Sequence, residues 1–287
     1  MTVVDDAAAG PEKASWARTA LAWGLLFAGV FAFQSVAAKP FYIASGSMMP
    51  AMLKGDRTIV SKYPYGWSYA SLSIHGSTVV PGRLFGKPPE RGDIVTVARR
   101  EDGSDLIKRV IGLPGDTIAV NHGVVILNGK PVPRVADGTA DIPVDANVPC
   151  DEGMLLPFRK ITRDGTIVCA LPLYRETLPN GASYDVIDLG DTYLPGGYLS
   201  PRDEYAPVKV PAGHVFLMGD NRDQSADSRF ALAEKGLGGP VPIESLGGRA
   251  ELITHSYSGE GSWLNPLAYL TSLRGNRAGT SLRPEHR

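Results

Sequence analysis

Only two of the 287 residues are cysteine, Cys150 and Cys169. There is no Cys-x-x-Cys pair and no histidine placed to complete one, which excludes a structural zinc site. The two thiols can form one disulfide or lie buried apart. Sequence does not give the Cα separation on which bridging depends. Net charge is also scarce: 29 Lys+Arg face 30 Asp+Glu, a formal charge of -1. With no basic stripe interleaved with aromatics, nucleic acid is excluded as a partner. Internal repeats are missing, and few stretches keep a 3.6-residue period beyond two turns. With 43% hydrophobic and 21% charged residues the chain can build a packed core, so global disorder is excluded as well. The 33 glycines and 23 prolines interrupt it every few residues, which favours short strands and turns.

One long hydrophobic run is present. Thr19–Ala38 is 20 residues without a charge. As a helix rising about 1.5 Å per residue it spans roughly 30 Å, a bilayer core. Trp16 and Trp23 suit an interface at its start. The expectation is a single membrane anchor. A cleaved signal peptide and a buried helix are the competing readings, and Asp5, Asp6 and Glu12 ahead of the run count against the cleaved signal. Lys13 and Arg18 precede the run while Lys39, Lys54 and Arg57 follow, so charge leaves the orientation open. Trp263–Leu273 is apolar but too short to span; it reads as an interfacial segment or as a strip docking on the domain. From about Gly275 the chain is polar and Arg-rich, and disorder is expected.

Between these ends the texture is β. Thr58–Val60, Ile94–Val97, Ile118–Val120 and Val124–Leu127 are short β-branched runs bounded by turn formers. Asn121-His122-Gly123 predicts a tight hairpin link. Residues 135–207 differ in being rich in Asp, Pro and Gly. The expected organisation is an N-terminal segment (1–18), an anchor (19–38), a main β domain (39–134 and 208–255), an inserted loop-rich β subdomain (135–207) and a tail (256–287).

Four motifs follow the anchor in order: Ser45-Gly46-Ser47-Met48-Met49-Pro50, Arg91-Gly92-Asp93-Ile94-Val95, Lys108 to Asp116 (KRVIGLPGD) and Gly219 to Arg229 (GDNRDQSADSR). In the first, glycine lets the backbone present a hydroxyl and amide N–H groups toward one point. In the third, a lysine ends the apolar strand Leu106-Ile107. Desolvation lowers a lysine's pKa and frees a neutral amine that can take a proton from a hydroxyl. The fourth packs carboxylates, arginines and hydroxyls that need partners if buried, and Asp227 with Arg229 can pair. Singly, each is explained by an ordinary turn, a solvated strand end or an acidic loop. The five histidines lie outside all four motifs.

Together and in this order, the anchor and the four motifs resemble the type I signal peptidases, a family of membrane-bound serine endopeptidases. The resemblance covers the chain from the anchor to about Leu252. It implies a mainly β fold related to the self-cleaving repressor proteases, with no metal and no cofactor. It makes Ser47 the nucleophile and Lys108 the general base. It puts the Ser45 hydroxyl in the oxyanion hole, Ser225 on the lysine amine, and Asp227 and Arg229 in support. Phe41, Ile43, Met48, Met52, Leu106 and Ile107 match positions that wall small pockets for the residues before the cut (Ala-x-Ala). The implied substrates are signal peptides of exported preproteins, with the lipid bilayer and the secretion translocon as further partners. The implied location is the bacterial inner membrane, with the catalytic domain outside the cytoplasm, which favours a Cys150–Cys169 disulfide. Gln224 departs from the family's usual Asn, and one span stands where many members have two. The rival readings are a relative dedicated to one conjugation or pilus substrate, and a silent β domain that only binds exported peptides.

Overall fold

The computed structural model describes residues 12–76, 78–151, 153–260 and 265–286. Helix α1 (Glu12–Val36) carries the hydrophobic run and ends two residues before the expected boundary. It is apolar around its whole circumference, and Leu21, Leu25 and Phe27 are each about two-thirds exposed. A helix that buries no face in its own fold and has the length and apolarity of a span is suited to lipid.

Strands β1 (Ala38–Tyr42) and β2 (Asp56–Ser61) enclose the Ser45–Pro50 motif. β3 (Ile94–Ala98) and β4 (Asp105–Gly112) carry the second and third motifs. β5 (Thr117–Asn121), β6 (Val124–Leu127) and β7 (Lys130–Pro131) form a meander, with the expected hairpin turn at His122-Gly123. β8 (Arg134–Pro143), β9 (Arg159–Ile161), β10 (Ile167–Thr177), β11 (Ala182–Ile187) and β12 (Glu204–Lys209) lie in the 135–207 region. β13 (His214–Met218), β14 (Val241–Pro242), β15 (Leu246–Ser256) and β16 (Glu285–His286) complete the chain.

The main sheet runs β1-β2-β15-β3-β4-β13-β14, with antiparallel neighbours throughout. A second sheet is β16-β11-β10-β8 with β9 on β10, and β12 joins the meander as a third. The sheets share cores: Tyr184 and Val186 of β11 pack with Ile118, Phe216 and Met218. The middle region also grips the first motif. Cys150 and Cys169 form a disulfide, with Cα atoms 5.9 Å apart, and cluster with Met49, Leu53, Leu171 and Ile187.

The C-terminal tail is not disordered. Arg277 pairs with Asp56 at 2.6 Å and donates to the Ala51 carbonyl; Arg274 pairs with Asp145 at 2.6 Å. Leu282 is buried among Ile43, Met48 and Met52, and β16 adds to β11. The arginines read as solvated because their carboxylates lie more than a hundred residues away in sequence. The apolar strip forms a short helix, α2 (Pro266–Thr271), capped by the Asn265 side chain, and Tyr269 stacks on Tyr257 at 5.4 Å. Trp263 and Leu264 lie outside the described residues.

Candidate active site

β1 and β4 place the site. β1 bonds to β2 alone, and β13 joins β4 only from Arg109 onward. Among the described residues, the outer edges of Ala38–Tyr42 and Asp105–Lys108 therefore have no strand partner. The side chains of the two edges reach each other: Lys39 Nζ stands 3.7 Å from the Asp105 carboxylate. Each unpaired edge presents backbone N–H and C=O groups to which an extended peptide can add.

Ser47 is 7% exposed, and Lys108, the last residue of the unpaired stretch of β4, is 3% exposed. Their Oγ and Nζ atoms stand 3.0 Å apart, and Nζ also donates to the Ile107 carbonyl at 3.0 Å. Burial pushes the lysine down to about 8, against the opposing fields of Asp227 and Asp220. A neutral amine is then populated near neutral pH. Ser45 Oγ, on the exposed side, is 3.3 Å from Ser47 Oγ.

The fourth motif encloses the back of this pair. Its Asn221 N–H donates to the Ser47 carbonyl at 3.1 Å, and the Asn221 side chain donates to the Gly46 carbonyl at 3.2 Å. Gln224 accepts from Asn221 at 3.1 Å. Asp227 and Arg229 pair bidentately at 2.9 Å, and Asp227 also accepts the Gly219 N–H at 2.9 Å. Burial opposes the Asp227 carboxylate, but Arg229 and these N–H donors hold it below its usual range. Ser225 is 2% exposed, yet its hydroxyl has no hydrogen-bond partner. The bond to Lys108 implied by the resemblance is not made here: the amine donates to Ser47 and Ile107. Ser225 instead presses on Gly219: a Cβ there would lie 2.2 Å from Ser225 Oγ and 2.4 Å from the Ser47 carbonyl oxygen.

Phe41, Ile43, Met48, Met52 and Ile107 gather in one cluster, with Ile43, Met48 and Met52 in its buried part. Leu106 packs elsewhere, with Val95, Val97 and Val110. The reason is the strand's period of two, which turns neighbours to opposite faces.

Several contributors carried no assigned role in the sequence. Arg109, beside Lys108, grips Asp220 bidentately at 2.7 and 2.6 Å and stacks on Tyr184 at 4.2 Å. Arg222 grips Glu176 at 2.7 and 2.5 Å. The arginines stand inside recognised motifs, but Glu176 comes from β10 and no local pattern marks it. Lys62 is a second buried amine, pushed to about 8 by burial and set 5.6 Å from the Phe41 ring. The carboxylates of Asp188, Asp203 and Asp223 converge within 4.8 Å, but each is engaged: Asp188 by Arg134, Asp203 by the Thr192 N–H and Asp223 by the Leu189 N–H. Burial raises Asp223 to about 6.

Comparison with known proteins places the chain in a family. A family model described as signal peptidase, peptidase S26, matches residues 15–255. Signal peptidase I of Rickettsia typhi is 36% identical over 223 residues, covering 76% of this chain and 72% of that protein. Its counterpart in Rickettsia prowazekii is 36% identical over 226 residues, with the same coverage. A crystal structure of a signal peptidase I from Enterococcus faecalis covers 57% of this chain and 97% of its own at 22% identity. Its TM-score is 0.27.

Proposed function

Because this chain belongs to the signal peptidase I family, peptidase S26, we propose that Ser47 and Lys108 are the dyad with which it cuts signal peptides from exported preproteins. The observation that carries this is the 3.0 Å approach of Ser47 Oγ to a buried amine lowered to about 8. A serine hydroxyl needs a base, and an ammonium held at its ordinary pKa is not one.

The signal peptide's last residues lie extended along the unpaired edges of β1 and Asp105–Lys108. Apolar walls near Phe41, Ile43 and Ile107 admit small side chains and exclude large ones. Neutral Lys108 takes the Ser47 proton as Oγ bonds to the carbonyl carbon before the cut. The resulting oxyanion is met by the Ser47 N–H and the Ser45 hydroxyl. The tetrahedral centre collapses, the C–N bond breaks, and the Lys108 ammonium gives its proton to the departing amine. Water, deprotonated by the same lysine, then attacks the ester carbonyl and frees the signal peptide's carboxylate while Oγ regains its proton. Ser225, buried beside this centre, is the alternative hydrogen-bond partner for Lys108 once Ser47 is acylated. Asp227 and Arg229 keep the surrounding loop in shape. No step draws on a metal or cofactor.

The disulfide supports placing this domain outside the cytoplasm, where such bonds persist. α1 is then the anchor that brings Ser47 to the bilayer, close to the translocon from which substrates emerge. The decisive assay uses full-length enzyme in lipid with a preprotein ending its signal in Ala-x-Ala. Wild type is expected to cut after the second Ala, and Ser47→Ala and Lys108→Ala to be inert. A Lys108→Ala protein with near-wild-type activity overturns the dyad. A folded wild type that leaves the preprotein intact points to a dedicated substrate.

A further inference from the structure

The apolar wall beside the unpaired edges gives way to charge at its outer end. Ile43, Phe41 and Lys39 are alternate residues of one extended segment, so their side chains share a face. On β4 the same holds for Ile107 and Asp105. The inner members, Ile43, Phe41 and Ile107, belong to one apolar cluster. The outer members are Lys39 and Asp105, which meet across the two edges at 3.7 Å. Lys39 Nζ also lies 4.9 Å from the centre of the Phe41 ring, so the charge directly adjoins the apolar wall.

Positive charge is in excess there. The Asp105 carboxylate is shared with His75, whose Nε2 stands 3.1 Å away and whose pKa rises through that hydrogen bond. Lys39 Nζ donates to the Ser73 carbonyl at 3.0 Å, while its 3.7 Å contact with Asp105 is longer than a hydrogen bond. The Lys39 side chain is 20% exposed. Lys62, just past β2, brings a second amine to 5.6 Å from the same Phe41 ring. It is 1% exposed, and among the described residues it makes no hydrogen bond and no ion pair. Even with His75 neutral, two ammonium groups face one carboxylate. Buried charges are ordinarily paired, so an amine without a carboxylate of its own leaves a place for a ligand's negative charge.

An extended peptide has the strand's period of two, so its first, third and fifth residues before the cut face one way. Ile43 is the wall residue next to the Ser45–Ser47 bend in sequence, and Phe41 and Lys39 follow outward. With the first peptide residue beside Ile43 and the third beside Phe41, the fifth arrives at Lys39.

We propose that Lys39 and Lys62 form a cationic subsite for the fifth residue before the cut, favouring an acidic side chain there and disfavouring a basic one. The subsite deepens the cleavage reading, because it needs the peptide to lie along these edges. A partly exposed ion pair is worth up to about fivefold in an equilibrium. Replacing an acidic side chain by a basic one turns attraction into repulsion, so about tenfold separates the two.

Steady-state cleavage by the full-length enzyme in an uncharged detergent tests this. The preprotein keeps Ala-x-Ala, and its fifth residue before the cut is Glu, Gln or Lys. The kcat/KM is expected to fall in that order, about tenfold from Glu to Lys, with a spread that shrinks at high salt. Lys39→Glu should reverse the order, which a loss of structure alone cannot do, and Lys39→Gln should narrow it. The same series at the sixth residue, which faces the other way, should be flat. Equal rates for the three preproteins, or an order that Lys39→Glu leaves unchanged, overturns the subsite while the cleavage reading stands. An effect as large at the sixth residue as at the fifth overturns it too. If wild type cuts none of the preproteins, the cleavage reading fails and the subsite falls with it.

Discussion

Gly219 offers a test in which a single added methyl group reaches the reaction centre. Its φ is not in the left-handed region, so alanine meets no backbone penalty there. What it meets is atoms. The new Cβ would lie 2.2 Å from Ser225 Oγ, 2.4 Å from Ser225 Cβ and 2.4 Å from the Ser47 carbonyl oxygen, where ordinary contact begins at 3.4 Å. Ser225 can turn away, but the Ser47 carbonyl is backbone and is held by the Asn221 N–H. It must move by about 1 Å, and a displacement of that size at a nucleophile can cost on the order of 10²-fold in rate. Overpacking of this kind costs about 1–3 kcal/mol of stability. Gly219→Ala is therefore expected to lower kcat about 10²-fold with a moderate fall in Tm. Adding Ser225→Gly removes two of the three clashes and should recover stability but not rate. Gly275→Ala, with no atom within 4 Å to meet, serves as the neutral control. The assays are steady-state cleavage of an Ala-x-Ala peptide and thermal unfolding. A Gly219→Ala enzyme that loses Tm but keeps its kcat refutes the reasoning, since the nucleophile would then tolerate the shift.

Lys108 is active as the neutral amine, so kcat/KM should rise about tenfold per pH unit below about 8 and level off above; a limb near the ordinary lysine value of 10.5 would contradict the desolvated base. Ser45→Ala removes one oxyanion donor and should cost on the order of 10²–10³ in kcat without abolishing turnover; unchanged kcat would take that hydroxyl out of the oxyanion hole. The disulfide joins residues 19 apart. A loop of that length is worth about 3 kcal/mol in the chain-entropy account, so reduction should lower Tm measurably, and an unchanged Tm would deny it a stabilising role. Burial raises Asp223 from 3.8 to about 6, so the folded state holds this proton more tightly than the unfolded chain. Stability is then lost as pH climbs through that window. Asp223→Asn should be more stable than wild type at pH 7 and equal to it near pH 3, as read from Tm against pH; an equal or lower Tm at pH 7 would refute this.

The sequence by itself determined the elements whose signals are local. An uncharged run of 20 residues reads as a membrane anchor, with a cleaved signal and a core helix as its competitors. β-branched runs between glycines and prolines make short strands, and His122-Gly123 makes a hairpin. The motifs named the residues now found together, because serine, glycine and lysine at those positions carry chemistry in their types. What the local signals could not carry was every term that depends on two distant segments. Glu176 pairs with Arg222 across 46 residues and Arg277 with Asp56 across 221, and neither carboxylate advertises its partner. The tail read as disordered for that reason, although its arginines hold the residues beneath the Ser47 loop. Leu106 and Ile107 were both named through the family resemblance, and only the pleat shows that they join different clusters. The lysine's lowered pKa is likewise a tertiary property. Its residue type is written at position 108, but desolvation exists only when β3, β13 and the Gly219–Arg229 loop close around it.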